Sequence, residues 1–268
     1  MTTEFSGAAG QFGAAYNRRA PDYAAAIEPT FRPAYRRIVE LAGITPGMEV
    51  LDLATGTGGV AREAASAGGL VTGIDVSERM LEIATRTSPN EITFALADAG
   101  KIPFGDASFD RVTCGFGLSH MPQVGNVLSE VRRVLKRTGS LVASCWGQAR
   151  SNLSRDAVQS VLEQYLPGWS DPFSQIMNEE RWAEPENGLG LLRSAGFDSV
   201  GVVTERLGGV FATPVEALGR AVAGPTRGEM VDAIQPAAGA KFQADALAAI
   251  EAAGDLSWWE IVNYYVAS

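Results

Sequence analysis

The chain has 268 residues, 46% hydrophobic and 20% charged, with 22 Lys and Arg against 31 Asp and Glu for a formal net charge of −9. That length is near the upper size for one hydrophobic core, so one elaborated domain is expected. No Lys or Arg run exceeds a pair such as Arg132-Arg133, so the surface field repels phosphate backbones and nucleic acid is not an expected partner.

In chain order, residues 1 to about 45 read as helical, with Tyr35, Ile38, Val39 and Ala42 forming one apolar stripe that ends near Gly43. From Met48 to Cys145, β-branched runs alternate with helical stretches. The predicted strands are Met48–Leu53, Leu70–Ile74, Ile92–Leu96, Phe109–Phe116 and Ser140–Cys145. Between them, Val60–Ala67 reads as a helix, Ser77 caps another carrying Met80, Leu81 and Ala84, and Val127, Leu128, Val131, Val134 and Leu135 mark a third. Alternation of this kind requires right-handed crossovers and predicts a parallel sheet with helices on both faces. Beyond Cys145 the pattern loosens: a strand at Val200–Leu207, helices over 213–253 broken by Pro225 and Pro236, and a last strand at Trp258–Val266.

No stretch approaches the ~20 uninterrupted apolar residues of a membrane span, and the start MTTEFSGAAGQFG lacks a basic region followed by an apolar one. A cytoplasmic protein is expected. Cys114 and Cys145 lie inside apolar runs without metal-ligand spacing, so they read as reduced core residues, and no metal site is expected.

Chemistry concentrates in Val50-Leu51-Asp52-Leu53-Ala54-Thr55-Gly56-Thr57-Gly58-Gly59-Val60-Ala61, which joins a strand to a helix through a turn almost bare of side chains. Glycine admits positive φ and close backbone approach, and the helix that follows offers free N–H groups to an anionic ligand. Gly56, Gly58 and Ala61 also satisfy the dinucleotide pattern, which leaves the nucleotide open. Asp75 ends the second strand 19 residues after Gly56, where a carboxylate can accept both ribose hydroxyls. Asp98 follows the third strand and can accept from an adenine amino group. Together these strand ends describe an adenosine pocket.

With Asp52-x-Ala54-x-Gly56-x-Gly58, Asp75, Asp98-Ala99, Ile102-Pro103-Phe104, Ser108-Phe109-Asp110-Arg111-Val112 and Glu130-Val131-Arg132-Arg133-Val134-Leu135-Lys136, the chain resembles the class I S-adenosylmethionine-dependent methyltransferases. The nearest subgroup is the one acting in ubiquinone and menaquinone biosynthesis and on small molecules. The resemblance covers about residues 48–146. It implies a Rossmann-like three-layer α/β sandwich with a seven-stranded, mostly parallel sheet, the last strand antiparallel, an N-terminal helical lid and helical cap insertions. It also implies a cofactor site of Asp52, Ala54, Thr55, Gly56, Gly58, Asp75, Val76, Met80, Asp98, Ala99 and Gly115, with Tyr16 and Tyr23 on the lid. Ala54 stands where the family usually has glycine, and Lys136-Arg137-Thr138-Gly139 replaces its common Lys-Pro-Gly-Gly turn.

The single domain then divides into a lid (1–45), a cofactor-binding core (46–147), an acceptor cap (148–197) and terminal strands with a helical insertion (198–268). Trp146, Trp169, Phe173, Met177 and Trp182 fit a pocket for a planar or lipophilic molecule, although aromatics so spaced are more often core. His120, the one histidine, follows the fourth strand on the acceptor side, either as a base for a phenol or enol or as a pocket wall. The expected reaction moves the sulfonium methyl to an oxygen of a hydrophobic small molecule, with carbon or nitrogen as second choices. A methyltransferase-like protein that binds the cofactor without transfer (sensor, scaffold or cyclase) and a nicotinamide-dependent oxidoreductase are the alternatives; the latter lacks a hydride-transfer constellation and leaves Asp98-Ala99 unexplained.

Overall fold

The computed structural model describes Phe5 and residues 7–268; residues 1–4 and 6 of the expected lid lie outside the described residues. Strands β1 (Glu49–Leu53), β2 (Leu70–Asp75), β3 (Thr93–Leu96), β4 (Phe109–Gly115), β5 (Leu135–Ser151), β6 (Val200–Val210) and β7 (Ser257–Ala267) form one sheet in the order β3-β2-β1-β4-β5-β7-β6. The first five pair in parallel, and β7 runs antiparallel to both β5 and β6. This is the mostly parallel seven-stranded sheet that the resemblance implies. Val50, Leu51 and Leu53 of β1 are fully buried, as strands covered on both faces require.

The helices are α1 (Gly7–Asp22), α2 (Glu28–Ala42), α3 (Gly59–Ser66), α4 (Glu78–Thr87), α5 (Val124–Val134), α6 (Leu153–Tyr165), α7 (Glu179–Ala183), α8 (Pro185–Ser194), α9 (Pro214–Val222), α10 (Pro225–Ala233) and α11 (Pro236–Ala253). A π-helical turn, Tyr23–Ile27, joins α1 to α2, and a 3-10 turn spans Leu118–His120. Pro225 and Pro236 break the last helical stretch because each opens a new helix, the position where a missing N–H costs least. One apolar layer includes residues of α2, α3, α6, α9 and α11, and the other includes residues of α5 and α8.

Strand order reverses between β1 and β4, and the crevice at such a switch point is where ligands settle in open α/β sheets. Of the expected lid, α2 belongs to the core: Tyr35, Ile38 and Ala42 are buried in the first layer. Of that segment, α1 and the π-helical turn border the crevice, joined by Phe31 of α2. Polar side chains hold α1 there. Asn17 Oδ1 accepts from Ser77 Oγ at 2.7 Å and from the Arg79 N–H at 3.0 Å, at the start of α4. Arg18 pairs with Glu229 and Arg19 with Asp232, both on α10. Gly13 lies so close that a Cβ would stand 2.9 Å from the Val76 carbonyl oxygen.

Candidate active site

A cavity of about 990 Å³ opens at the carboxyl ends of the strands, roofed by α1 and by the α9–α10 joint. Its size is at the top of the roughly 300–1,000 Å³ range of ligand pockets, which leaves room for two molecules side by side.

At one end, β2 and β3 deliver the acidic residues. Asp75 Oδ2 accepts the Gly56 N–H at 2.8 Å and Oδ1 accepts the Ser77 N–H at 2.9 Å, so this carboxylate holds the glycine turn in place. Each oxygen keeps a further lone pair for a ligand hydroxyl. Burial pushes the Asp75 pKa up, and the backbone N–H bonds oppose that shift. Asp98 Oδ1 accepts the Gly100 N–H at 2.8 Å and borders the same space. Val76, Met80, Ala97 and Ala99 give this end an apolar lining for a flat ring.

The turn between them is conformationally demanding. Gly56 has φ +54° and Ala54 φ +49°, both left-handed. Glycine bears that at no steric cost, whereas Ala54 carries a strain on the order of 1 kcal/mol. Gly56, Ala54 and Gly115 line the cavity; Asp52, Thr55 and Gly58 do not. Asp52 lies beneath the turn, accepting from Thr55 Oγ1 at 2.6 Å and Thr113 Oγ1 at 2.7 Å, and burial raises its pKa to about 6. Gly58 faces the other way: a Cβ there would meet Ala84 and Phe94 at 3.2 Å.

Tyr16, Tyr23 and His120 all border the cavity. His120 Nδ1 lies 3.2 Å from the Phe116 carbonyl, which can only accept, so Nδ1 bears the proton and Nε2 accepts from the Tyr16 hydroxyl at 3.1 Å. Burial lowers the His120 pKa to about 4 and raises that of Tyr16 well above its ordinary value. The pair is therefore a neutral clasp between α1 and the 3-10 turn at neutral pH.

The middle of the cavity is aromatic. Phe116 stacks on Trp146 at 4.2 Å between centroids, with Phe31 at 4.7 Å from Phe116 and 5.3 Å from Trp146. Phe116 takes φ +60°, an unfavourable conformation for a bulky side chain that aims it at this spot. Of the aromatic set expected from the sequence, Trp146 and Met177 reach the cavity. Trp182 is fully buried against Tyr265, Phe173 stacks on Phe12 behind the wall, and Trp169 packs on the first apolar layer. Phe12, Phe31 and Phe116 went unnoticed in the sequence, since a helical stripe or strand-end aromatic looks like ordinary core.

The far end holds what the sequence did not suggest. Arg150 of β5, Arg155 of α6, Arg220 of α9 and Arg227 of α10 line it together with Glu260 of β7 and Glu179 of α7. Arg155 pairs with Glu260 at 2.9 Å.

A doubly wound sheet with a glycine turn after β1 and carboxylates after β2 and β3 defines a protein built to bind an adenosine-bearing cofactor. Comparison with known proteins specifies the class. Residues 51–143 match the family model described as "Methyltransferase domain". A demethylmenaquinone methyltransferase of Tropheryma whipplei is 34% identical over 200 residues, 71% of this chain and 80% of that protein. One of Renibacterium salmoninarum is 32% identical over 173 residues, 62% of this chain and 73% of the relative. The solved phosphoethanolamine N-methyltransferase 2 of Haemonchus contortus, in complex with phosphomonomethylethanolamine and S-adenosylhomocysteine, shares the fold. Its TM-score is 0.60 at 19% identity, covering 98% of this chain and 60% of that one. The chain belongs to the class I S-adenosylmethionine-dependent methyltransferases; it is an enzyme of that class, with S-adenosylmethionine as cofactor. The nicotinamide reading of the glycine turn falls with that assignment. Among the described residues, no helix is long and apolar enough to cross a membrane.

Proposed function

We propose that this enzyme methylates a planar, phenol- or quinol-type small molecule at oxygen, with an adjacent ring carbon as the second position, and that Asp75, Asp98, Val76, Met80, Ala99, Gly56, Ala54 and Gly115 hold the cofactor. The observation that carries this reading is one continuous cavity running from the β2 and β3 carboxylates to the aromatic wall of Phe31, Phe116 and Trp146. The name demethylmenaquinone methyltransferase borne by relatives at 31–34% identity is the reason for choosing a quinol over other flat molecules.

S-adenosylmethionine supplies, when bound, a methyl on a sulfonium leaving group. The residues of this chain then have three tasks. Asp75 accepts ribose hydroxyls while fixing the turn through the Gly56 N–H. The aromatic wall presents a flat face on which an acceptor ring lies at a defined height, so that orientation rather than proton transfer supplies most of the rate. α1 shuts the space from water, held by the Tyr16 to His120 hydrogen bond. A histidine held near pKa 4 whose Nε2 already accepts from Tyr16 is suited to positioning and ill suited to taking a phenolic proton at neutral pH. Asp52, Thr55 and Gly58 shape the turn from below. An acceptor that enters as its phenolate would leave its proton in solvent before α1 closes, and its oxygen would then take the methyl that the sulfonium sulfur gives up.

The test is methyl transfer from methyl-labelled cofactor to a panel of hydroxylated naphthalenes under reducing conditions, with the product located by mass spectrometry. Label on a phenolic oxygen or its neighbouring carbon is expected. Cofactor bound but unconsumed across the whole panel would reject the reading.

A further inference from the structure

Four guanidinium groups at the far end of the cavity face two carboxylates, in a protein whose overall charge is −9. Arg155 is satisfied by Glu260, whose side chain is only 10% exposed. The other three have no carboxylate partner among the described residues. Arg227 donates from Nε to the Ala221 carbonyl at 2.6 Å, Arg220 donates from Nε to Thr30 Oγ1 at 3.1 Å and lies 4.9 Å over the Phe31 ring, and the Arg150 side chain makes no ion pair or hydrogen bond among the described residues. Glu179, the second carboxylate, is exposed yet close enough to feel the charges of Arg155, Arg150 and Arg227, and Glu180 and Asp171 border the cavity as exposed or half-exposed residues at its rim. Arg150 is exposed at the cavity's edge, whereas Arg220 and Arg227 are half-buried within it, where like charges oppose one another: burial, with Arg155 and Arg220 nearby, lowers the Arg227 pKa to about 9. A fold that keeps an unmatched cationic cluster in a cleft pays for it in stability, and such a cost is relieved when an anion arrives.

Resting on the methyl-acceptor reading above, we infer that the acceptor carries a carboxylate or phosphate group opposite its nucleophilic end, and that Arg150, Arg220 and Arg227 receive it while the ring lies on Phe31, Phe116 and Trp146. Guanidinium forks match the paired oxygens of either anion. Arg220, stacked on Phe31, couples the anion site to the ring site. The carboxylate of the cofactor's own methionine tail is the competing occupant. Against it stands the topology: Asp75 ends β2, whereas Glu260, the partner of Arg155 of α6, sits on β7, four strands along. At about 4.8 Å per strand that is roughly 19 Å.

The experiment uses the full chain saturated with S-adenosylhomocysteine and titrates three matched probes: 2-naphthol, 6-hydroxy-2-naphthoate and 6-hydroxy-2-naphthyl phosphate. At least one acid is expected to bind about tenfold or more tightly than the neutral naphthol, the range of a charge-assisted contact, with 2-naphthol insensitive to salt. Whichever acid binds more tightly identifies the anion. Arg227→Gln and, because it has no structural partner to lose, Arg150→Gln should each erode that advantage several-fold while leaving the affinity for 2-naphthol and for S-adenosylhomocysteine unchanged. Equal binding of all three probes, or an acid advantage intact in both variants, would overturn the inference. So would a parallel loss of S-adenosylhomocysteine affinity, which would assign the arginines to the cofactor tail. Labelled-methyl transfer on the same probes separates the two claims. Tight acids that are never methylated retain the anion site and reject the methyl-acceptor reading; methylated 2-naphthol without an acid advantage does the reverse.

Discussion

The two ends of the cavity are built in opposite ways. The β2–β3 end is acidic and local: Asp75 ends one parallel strand and Asp98 follows another, each binds a backbone N–H within two residues, and the turn that Asp75 braces is contiguous in sequence. The far end is basic and assembled at long range from β5, α6, α9 and α10. Strand ends in a doubly wound sheet are positioned by the sheet itself, so that end is conserved in geometry whenever the fold forms. The cap end depends on how inserted helices pack, and such insertions can differ among proteins of one fold, so it is the end where substrate choice is free to vary.

The largest effect should come from breaking the acidic end. Asp75→Ala removes a charged acceptor and also releases the Gly56 and Ser77 amides, so cofactor affinity should fall by roughly 1.5–3 kcal/mol, or tenfold to a hundredfold and more. Isothermal titration measures it, and an unchanged dissociation constant in a folded variant would remove Asp75 from the site. Next, removal of residues 1–22 takes away the Phe12 and Tyr16 walls but no strand; the remainder should fold and retain cofactor about tenfold less well, equivalent to about one net hydrogen bond. Full retention would dismiss α1 as a lid.

Smaller still is the expected effect of His120→Gln. Because the imidazole is already neutral and accepting from Tyr16, the single-turnover rate should drop less than about tenfold, short of the 10²–10⁴ of a true base. A larger loss, accompanied by disappearance of an ionisation near neutrality, would make His120 the base.

The smallest signal lies in stability against pH, where the two ends of the central region oppose each other. His120 is held near 4 in the folded chain against an ordinary 6.5, so unfolding takes up a proton between those values and folding is favoured increasingly as pH rises across that window. Asp52 runs the other way: held near 6 against 3.8, its contribution is greatest below 3.8 and is lost as pH rises through 6. Melting temperatures from pH 4 to 6.5 should show the wild type gaining on His120→Gln with rising pH and losing ground to Asp52→Asn. Parallel curves for all three proteins would contradict both assignments.

The unequal legibility of the two ends in the sequence follows from the same difference. β-branched runs leading into Asp75 and Asp98, and a turn with Gly56 and Gly58, are short-range patterns that survive being read as a string. Even there, packing decided details that spacing does not carry: Asp52 and Gly58 lie behind the turn rather than in the cavity. Trp182 and Trp169 follow the commoner reading of aromatics so spaced, since a large apolar ring lowers the free energy most when packed into the core. Arginines scattered over residues 150–227 look like solvated helix faces, and nothing local marks their convergence. The Gly224-Pro225 break that turns α9 into α10, and thereby brings Arg220 and Arg227 to one wall, is the nearest thing to a signal.

In the proposed arrangement one cavity seats the cofactor across β2 and β3 and leaves the aromatic wall free for the acceptor. A crystal structure with S-adenosylhomocysteine tests it most directly. Expected are ribose hydroxyls on Asp75, the adenine between Met80 and Asp98, and the sulfur directed toward Phe116 and Trp146, with the space before Arg220 and Arg227 unfilled by the cofactor. An adenosine moiety lodged among the arginines, or ribose hydroxyls held by residues other than Asp75, would contradict it.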